Sequence, residues 1–207
     1  MKNLNINKKL ILPVVISITT YLLSYGIPKI IVNSENLHYL HIALDDLIPL
    51  FSPSIIIYFL AYVQWFFAIC VLLKQETILG YRISTAIIIG SLIGFAAFVI
   101  YPTAIIRPTI KVNNIFDQIL STTYLVDSVV NACPSFHCFC STITIHILYR
   151  SKDINKKISI LNFIFSVLVY ASTLLTKQHY IIDIPFGILL ADISVLISSK
   201  IYFKQTI

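Results

Sequence analysis

Long apolar runs, separated by short polar segments, fill most of this 207-residue chain. A helix needs about 20 apolar residues to cross the hydrocarbon core of a bilayer. Six runs are predicted to span the membrane, the fourth of them short: roughly 9–33, 52–74, 82–101, 136–150, 157–176 and 179–202. The pattern therefore predicts an all-α integral membrane bundle of six transmembrane helices, forming one domain over 1–207.

Two polar connections show helical spacing of their own. In the first connection the recurring apolar residues are Leu37, Leu40, Leu44 and Leu47. They predict a short amphipathic helix at the membrane surface. In the second, segment 103–133, the recurring residues are Ile115, Ile119, Leu120 and Tyr124. They predict another short helix between the third and fourth spans.

Composition and charge narrow the class of protein. Apolar residues make up 57% of the chain and charged residues 12%, with a mean hydropathy of +0.87, whereas soluble domains carry about 25% charged residues. The net charge of +6 does not indicate nucleic-acid binding, because the lysines lie in short loops and are explained by topology. The four cysteines lack paired spacing and are interpreted as small apolar residues. The first run lacks a signal-peptide cleavage site, so it is predicted to be retained.

Lysines and arginines predict the orientation of the bundle. With six spans, one side of the membrane holds Lys2, Lys8, Lys9, Lys74, Arg82, Arg150, Lys152, Lys156, Lys157, Lys200 and Lys204. The other side holds Lys29, Arg107, Lys111 and Lys177. Eleven against four is a clear positive-inside bias, so both termini are expected in the cytoplasm. Three polar clusters, at 107–108, 134–137 and 179–183, then face the extracytoplasmic side.

The tetrapeptide Pro134-Ser135-Phe136-His137 is typical of a helix start. Proline suits the first turn, and the amides of Ser135, Phe136 and His137 would point at an anion that the helix dipole favours. Ser135 adds a hydroxyl, and His137 can supply a proton near neutral pH. The tetrapeptide is a candidate phosphate site; the alternative is a plain helix start with an incidental histidine.

His179 and Asp183 are four residues apart, which predicts that they share one helix face. Asp183 can accept from one imidazole nitrogen and leave the other free to attack. Ionisable residues in a spanning segment are costly and usually functional. The alternative is a histidine at the headgroup boundary with a water-exposed aspartate. His146 and Asp192 lie deeper in their spans, and each is predicted to make a buried helix–helix hydrogen bond.

Three cations on the same side are candidate phosphate ligands. The planar guanidinium of Arg107 can hold two phosphate oxygens at once. Lys111 and Lys177 would add positive charge. The alternative for each is a side chain that snorkels to the headgroups. A metal site built from the Cys133, Cys138, Cys140 and His137 side chains is not expected, because two of the cysteines would point different ways from one helix.

Taken together and in this order, the three clusters resemble the type 2 phosphatidic acid phosphatase superfamily. The signatures of that family are a lysine with an arginine-proline seven residues on, a proline-serine-glycine-histidine, and a serine-arginine followed by a histidine and an aspartate. The Thr-Lys-Gln-His-Tyr stretch ending at Tyr180 looks like the bacterial branch related to inositol phosphorylceramide synthases. The resemblance covers about 100–187 and implies an all-helical core, shared with vanadium haloperoxidases, within about 82–202.

The chain departs from these signatures at three positions. Ile100 stands where the family has its lysine, Phe136 where it has glycine, and Thr173 where it has arginine, although the preceding Ser172 is kept. Two phosphate-holding cations are therefore absent, and Lys111 and Lys177 are the candidate replacements beside Arg107.

The resemblance implies a reaction without a metal or other cofactor. His179 would attack phosphorus, Asp183 would orient it, and His137 would protonate the departing lipid alkoxide. Arg107, Ser135 and the amide of Phe136 would hold the phosphoryl oxygens. The expected function is hydrolysis of a lipid phosphate or diphosphate at the outer face of a cell membrane, with the Ile-rich, Gly-poor composition favouring a bacterial plasma membrane. A phosphotransferase acting on a lipid or sugar alcohol would use the same residues, and a non-catalytic scaffold or transporter subunit is the alternative from another class.

Overall fold

The computed structural model describes residues 5–203, apart from the side chains of Ser34 and Phe203. Lys2 and Lys204 of the charge count lie outside the described residues. The helices are α1 (Ile11–Gly26), α2 (Pro28–Ile31), α3 (Ile55–Leu72), α4 (Thr77–Ile100), α5 (Ile115–Val126), α6 (Phe136–Arg150), α7 (Lys156–Leu175) and α8 (Asp183–Phe203). Since residues 5–203 contain no strand beyond two isolated bridges, the predicted all-α class is confirmed.

Five helical segments are long and apolar enough to cross a membrane. They are Lys8–Ile31, Ser52–Leu72, Thr77–Ile100, Lys156–Leu175 and Asp183–Tyr202. Large apolar side chains on these segments lie on the outside of the bundle, among them Leu12, Phe66 and Leu196, each more than 60% exposed. Soluble monomers rarely present such a continuous apolar surface. The fold is therefore consistent with a multi-pass membrane protein.

Helix α6 forms the centre of the bundle. It packs against α3, α7 and α8, while α4 packs against α1 and α8. Ten of its 15 residues are buried, and several of its polar side chains bond neighbouring helices. Thr142 bonds the Tyr170 hydroxyl at 2.8 Å, and the Trp65 indole donates to Ser141 at 3.1 Å. A helix that faces protein on all sides need not be as apolar as one that faces lipid, which explains the modest hydropathy of this segment.

The predicted amphipathic helix in the first connection is wrong. Segment 34–54 forms only three short 3-10 turns, Ser34–Asn36, Ala43–Leu47 and Ser52–Ser54. Its backbone is held by tertiary contacts instead, because the Asp45 carboxylate accepts from the Ile42 and Ile181 amides at 2.9 and 2.8 Å. The helix predicted within 103–133 is confirmed as α5, whose cap residue Asn114 accepts from two amides of the first turn.

Candidate active site

The three polar clusters meet at one end of the bundle. The Ser135 amide donates to the Asp183 carbonyl at 3.1 Å, which joins the start of α6 to the start of α8. Gly187 permits this approach, since a Cβ there would lie 2.4 Å from the Ser135 carbonyl oxygen. Arg107 reaches the same place through a hydrogen bond to the Gln178 side chain, next to His179.

His179 lies in the turn between α7 and α8 rather than on a helix face. The turn closes with bonds from the Gln178 and Lys177 amides to the Thr173 and Leu174 carbonyls, both at 2.9 Å. This pattern is a Schellman motif, and Lys177 has the left-handed φ of 49° that glycine usually adopts there. Helix α8 consequently begins only at Asp183, four residues later than predicted.

The predicted contact between His179 and Asp183 forms across this turn. The His179 Nδ1 lies 3.2 Å from Asp183 Oδ2, which also accepts from the Tyr180 amide at 2.9 Å. Asp183 is completely buried and His179 is 9% exposed. The carboxylate therefore favours the tautomer with a proton on Nδ1 and a lone pair on Nε2.

His137 faces His179 from the first turn of α6. Their ring centroids are 6.4 Å apart, with the planes inclined by 59°. The His137 ring stacks on Tyr58 at 4.1 Å and also contacts Tyr62 and Trp65. Its Nε2 is buried and has no hydrogen-bond partner within residues 5–203. An unpaired polar nitrogen in an aromatic pocket costs free energy unless a ligand or water satisfies it.

The start of α6 offers fewer free amides than the sequence predicted. The expectation that the Ser135 amide is free is wrong, because the close packing of α8 supplies the Asp183 carbonyl as its acceptor. The Ser135 hydroxyl caps the helix by accepting from the Cys138 amide at 3.3 Å. The amides of Phe136 and His137 have no acceptor within the helix, since they belong to its first turn. They are the unbonded donors of this helix start, in residues that are both buried.

The Phe136 side chain takes no part in the site. Its ring is 2% exposed and packs among Tyr21, Tyr25, Phe98 and Phe139. It presses on Gly94, where a Cβ would lie 2.3 Å from the ring. The bulky ring, at the position where the resembling signature has glycine, therefore packs into the core and not beside the histidines.

Arg107 is held by the protein itself. Its guanidinium donates to the backbone carbonyls of Tyr124, Asp127 and Ser128 at 2.9–3.2 Å and to the Gln178 side chain. The Asp127 carboxylate lies 3.8 Å from Nη2. Within the described residues only Nε lacks a partner. In this arrangement Arg107 fastens the loop after α5 to the turn that carries His179.

The two lysines predicted beside Arg107 occupy different places. Lys177 lines a cavity of about 380 Å³ together with His179, but its ammonium donates to the Asp45 and Ile48 carbonyls at 3.0 and 2.6 Å. Lys111 is exposed on the loop before α5 and lines neither this cavity nor the one that Arg107 lines. The structure thus brings Lys177 near His179 and leaves Lys111 apart.

Sequence reasoning missed a cation and its partner close to His137. The Lys29 ammonium lies 2.6 Å from the Asp127 carboxylate and 3.9 Å from the centre of the Tyr25 ring. Lys29 lines one cavity with Tyr62, whose ring centroid is 5.7 Å from that of His137. Gln178 was missed as well, although it directly precedes His179. For Lys29 the signal was its place on the predicted outer side, directly after Pro28.

The space between Arg107 and His179 is small. The cavity that both line has room for about 10 Å³, which corresponds to about one water molecule.

Cys133 borders Asp183, and burial together with that carboxylate raises the pKa of its thiol to about 12, so it is protonated at neutral pH. Within residues 5–203 no group of three His, Cys, Asp or Glu side chains is arranged to hold a metal ion.

Comparison with protein-family models, with curated proteins and with solved structures finds no significant match to this chain. The likeness to the phosphatidic acid phosphatase signatures therefore rests on the residues themselves, and membership of that family stays a prediction.

Proposed function

We propose that this protein is an integral membrane enzyme that transfers a phosphoryl group from a lipid phosphate or diphosphate to water through a phosphohistidine. The observation that carries the proposal is the pairing of His137 and His179, with ring centroids 6.4 Å apart and Asp183 on the far nitrogen of His179. Two rings at this separation can both reach one phosphoryl group. The start of α6, with its unbonded first-turn amides, lies beside them.

In the proposed first step, the Nε2 lone pair of His179 attacks phosphorus and the bond from phosphorus to the lipid oxygen breaks. Protonated His137 gives its proton to the departing alkoxide, a poor leaving group for which such help is worth about 10²–10⁴-fold. Asp183 stabilises the charge that develops on His179. In the second step, neutral His137 takes a proton from water, water attacks phosphorus, and the bond to His179 breaks to release phosphate.

The first-turn amides of Phe136 and His137 would hold the phosphoryl oxygens in this scheme, because pre-placed donors favour the charge of the transition state. Arg107 would contribute mainly through the loop that it fastens, with Nε as its free donor. The cavity of about 380 Å³ lined by His179 and Lys177 offers a route for water and phosphate. The proposal includes six transmembrane spans, with α6 as the central one, and an active site on the extracytoplasmic side.

The test uses purified protein in liposomes with radiolabelled phosphatidic acid, prenyl diphosphate or phosphatidylglycerophosphate. We expect the label to appear as inorganic phosphate. Label that appears mainly in a new lipid, dependent on added prenol or diacylglycerol, would replace the phosphatase by the phosphotransferase. Absence of both products over the whole panel would contradict phosphoryl transfer and favour a scaffold.

A second measurement tests whether His137 is the general acid that protonates the leaving group. We expect His137→Ala to slow the first step on lipid phosphates by about 10²–10⁴-fold. The loss should be much smaller on p-nitrophenyl phosphate, because nitrophenolate leaves without a proton. Equal losses on both substrates, read as the burst of nitrophenol, would remove His137 from the role of acid.

A further inference from the structure

A cleft runs along the bundle between α1 and α3. Helix α1 packs along α4, whereas α3 packs on α6 and α7, so α1 and α3 flank a gap with α6 as its floor. One part, of about 270 Å³, is lined almost entirely by apolar side chains such as Ile18, Leu22 and Phe66. The other part, of about 580 Å³, contains Lys29 and is also bounded by α5, through residues such as Ile119 and Val126. Tyr62 lines both parts, so they adjoin at its ring.

The α1 side of this cleft changes from apolar to cationic along one helix face. Ile18, Leu22, Tyr25 and Lys29 follow at intervals of four, three and four residues, which keeps them on the same side of the continuous segment Lys8–Ile31. From the first to the last the helix rises by about 16 Å. One leaflet of the hydrocarbon core is about 15 Å thick, half of the whole. The cleft therefore has the length of one lipid chain, with a cation at its end.

The charge at the cationic end is not fully neutralised. Lys29 and Arg107 both lie near the Asp127 carboxylate, at 2.6 and 3.8 Å. Two positive charges share one negative charge, which leaves a net charge of +1 in a partly buried place. The Lys29 ammonium has three donor hydrogens, and its side chain is 20% exposed. An anionic group that enters the cleft is attracted to this end.

The cationic end lies one layer of aromatic rings from the candidate active site. Tyr62 lines the cationic end, and its ring centroid is 5.7 Å from that of His137. Trp65 lines the adjoining apolar part, at 5.1 Å from His137. Behind these rings is the buried Nε2 of His137, which has no hydrogen-bond partner within residues 5–203. A phosphate at Lys29 would thus be separated from His137 by side chains that can change rotamer.

We propose that the cleft between α1 and α3 binds one lipid with an anionic phosphate headgroup, its hydrocarbon chain against Leu22 and Phe66 and its phosphate at Lys29. Lys29 then takes the place of a cation that the family signatures would supply at Ile100 or Thr173. Those two positions carry no positive charge here, since they hold an isoleucine, 81% exposed at the end of α4, and a buried threonine. The site serves the proposed function and in that sense rests on it, but its occupancy is measured without turnover.

The test is photolabelling of the full-length protein in liposomes. The probe is phosphatidic acid with a diazirine halfway along one acyl chain, and the reference is diacylglycerol with the same chain. The His179→Ala background prevents any turnover of the probe. We expect labelled peptides to concentrate on the cleft residues of α1 and α3. Phosphatidic acid should label them about tenfold more than diacylglycerol, as expected for one charge-assisted contact.

Three variants and one matched control make the result specific. Lys29→Ala should remove the tenfold preference for phosphatidic acid, and Lys29→Arg should restore it. Leu22→Trp fills the cleft from a side chain that is 61% exposed, so it leaves the core intact and should lower cleft labelling several-fold. Leu168→Trp, at a 44% exposed position on the outer face of α7, is the matched control and should change nothing.

Labelling spread evenly around the bundle, or equal for the two probes, would overturn the proposal. So would a Leu22→Trp variant that labels like the native chain. Cleft labelling in a protein that hydrolyses none of the lipid phosphates would support this site while contradicting the proposed function. Turnover without cleft labelling would leave the proposed function standing and remove the site.

Discussion

The chain contains two histidine–aspartate pairs near opposite ends of α6, one buried and one partly exposed. They differ in whether the second ring nitrogen of the histidine is bonded. In the first pair, His179 uses Nδ1 for Asp183 at 3.2 Å, and none of residues 5–203 bonds its Nε2. In the second, His146 uses Nε2 for Asp192 at 2.7 Å while Nδ1 accepts from Arg150 at 2.6 Å. The second pair is a helix–helix hydrogen bond, as the sequence predicted for these residues, but it is only partly buried.

This difference decides what each pair can do. A histidine with both nitrogens bound holds two helices together but has no lone pair to offer a substrate. A histidine with one nitrogen held by a carboxylate has its tautomer set and its other nitrogen available. The two aspartates also differ in burial, since Asp183 is completely buried and the Asp192 side chain is 45% exposed. The presence of a His–Asp pair is thus a weaker indication of chemistry than an unbonded second nitrogen.

The largest expected effect comes from removing each histidine in turn. We expect His179→Ala to lower phosphate release from lipid phosphates by at least about 10³-fold, because no nucleophile remains. His146→Ala should keep the rate within about threefold while lowering the thermal midpoint in detergent. A His146→Ala variant as inactive as His179→Ala would show that the saturated pair also contributes to the reaction.

The next effect concerns the two carboxylates. Asp183→Asn preserves the shape of the side chain but can favour the wrong tautomer of His179, for which we expect a rate loss of about 10²–10⁴-fold. Asp192→Asn removes a half-exposed partner of a structural histidine and should cost less than about threefold. The single-turnover rate with labelled lipid phosphate measures both. Similar losses in the two variants would argue against a special role for the buried carboxylate.

The positions of the helices could be predicted closely, because each is marked by an apolar run. The predicted spans 136–150 and 157–176 agree within one residue with α6 and α7. Within residues 5–203 five helical segments are long and apolar enough to cross a membrane and α6 is not among them, so the sixth span stays a prediction. Segment 34–54 could not be predicted in this way. Its leucines have helical spacing, but Pro49 and the contacts of Asp45 with the α7–α8 turn decide its path.

The candidate site could be predicted only as far as its local patterns reach. His137, His179 and Asp183 lie in recognisable motifs, and the structure brings them together. The partners of Arg107 come from a loop about 20 residues away, and Lys29 meets Asp127 across 98 residues of sequence. Neither pairing has a local signature, so the sequence could not show that the protein itself supplies partners for the Arg107 guanidinium. The role of Arg107 as a phosphate ligand stays a prediction.

The arginines near the two histidine–aspartate pairs, Arg107 and Arg150, are expected to contribute differently to the stability of the fold. Arg107→Ala would leave buried carbonyls of the loop after α5 unsatisfied, so we expect a loss of about 3 kcal/mol, seen as a fall of about 10 °C in the thermal midpoint. Arg150→Ala removes an exposed side chain beside His146 and should cost less than about 1 kcal/mol. Equal midpoints for the two variants, with activity lost only in Arg107→Ala, would return Arg107 to the role of a phosphate ligand.

The smallest expected effect concerns Asp117, a carboxylate that is not paired with a histidine. Asp117 accepts from the Ser52 hydroxyl at 2.5 Å and from the Asn113 amide at 3.1 Å, which fastens α5 to the segment before α3. These hydrogen bonds, that of Ser52 first, hold the pKa of Asp117 below its usual value. A lowered pKa stabilises the fold above the unfolded value of about 3.9. The contribution is lost as the pH falls through the folded value.

The native protein should therefore lose thermal stability below about pH 4 more steeply than Asp117→Asn does, while Asp117→Asn should be slightly less stable at pH 7. Ser52→Ala, which removes the strongest donor and leaves the carboxylate, should fall between the two. The measurement is the thermal midpoint in detergent from pH 3 to pH 7. Parallel curves for all three proteins would mean that Asp117, unlike the aspartates beside His179 and His146, holds nothing in place.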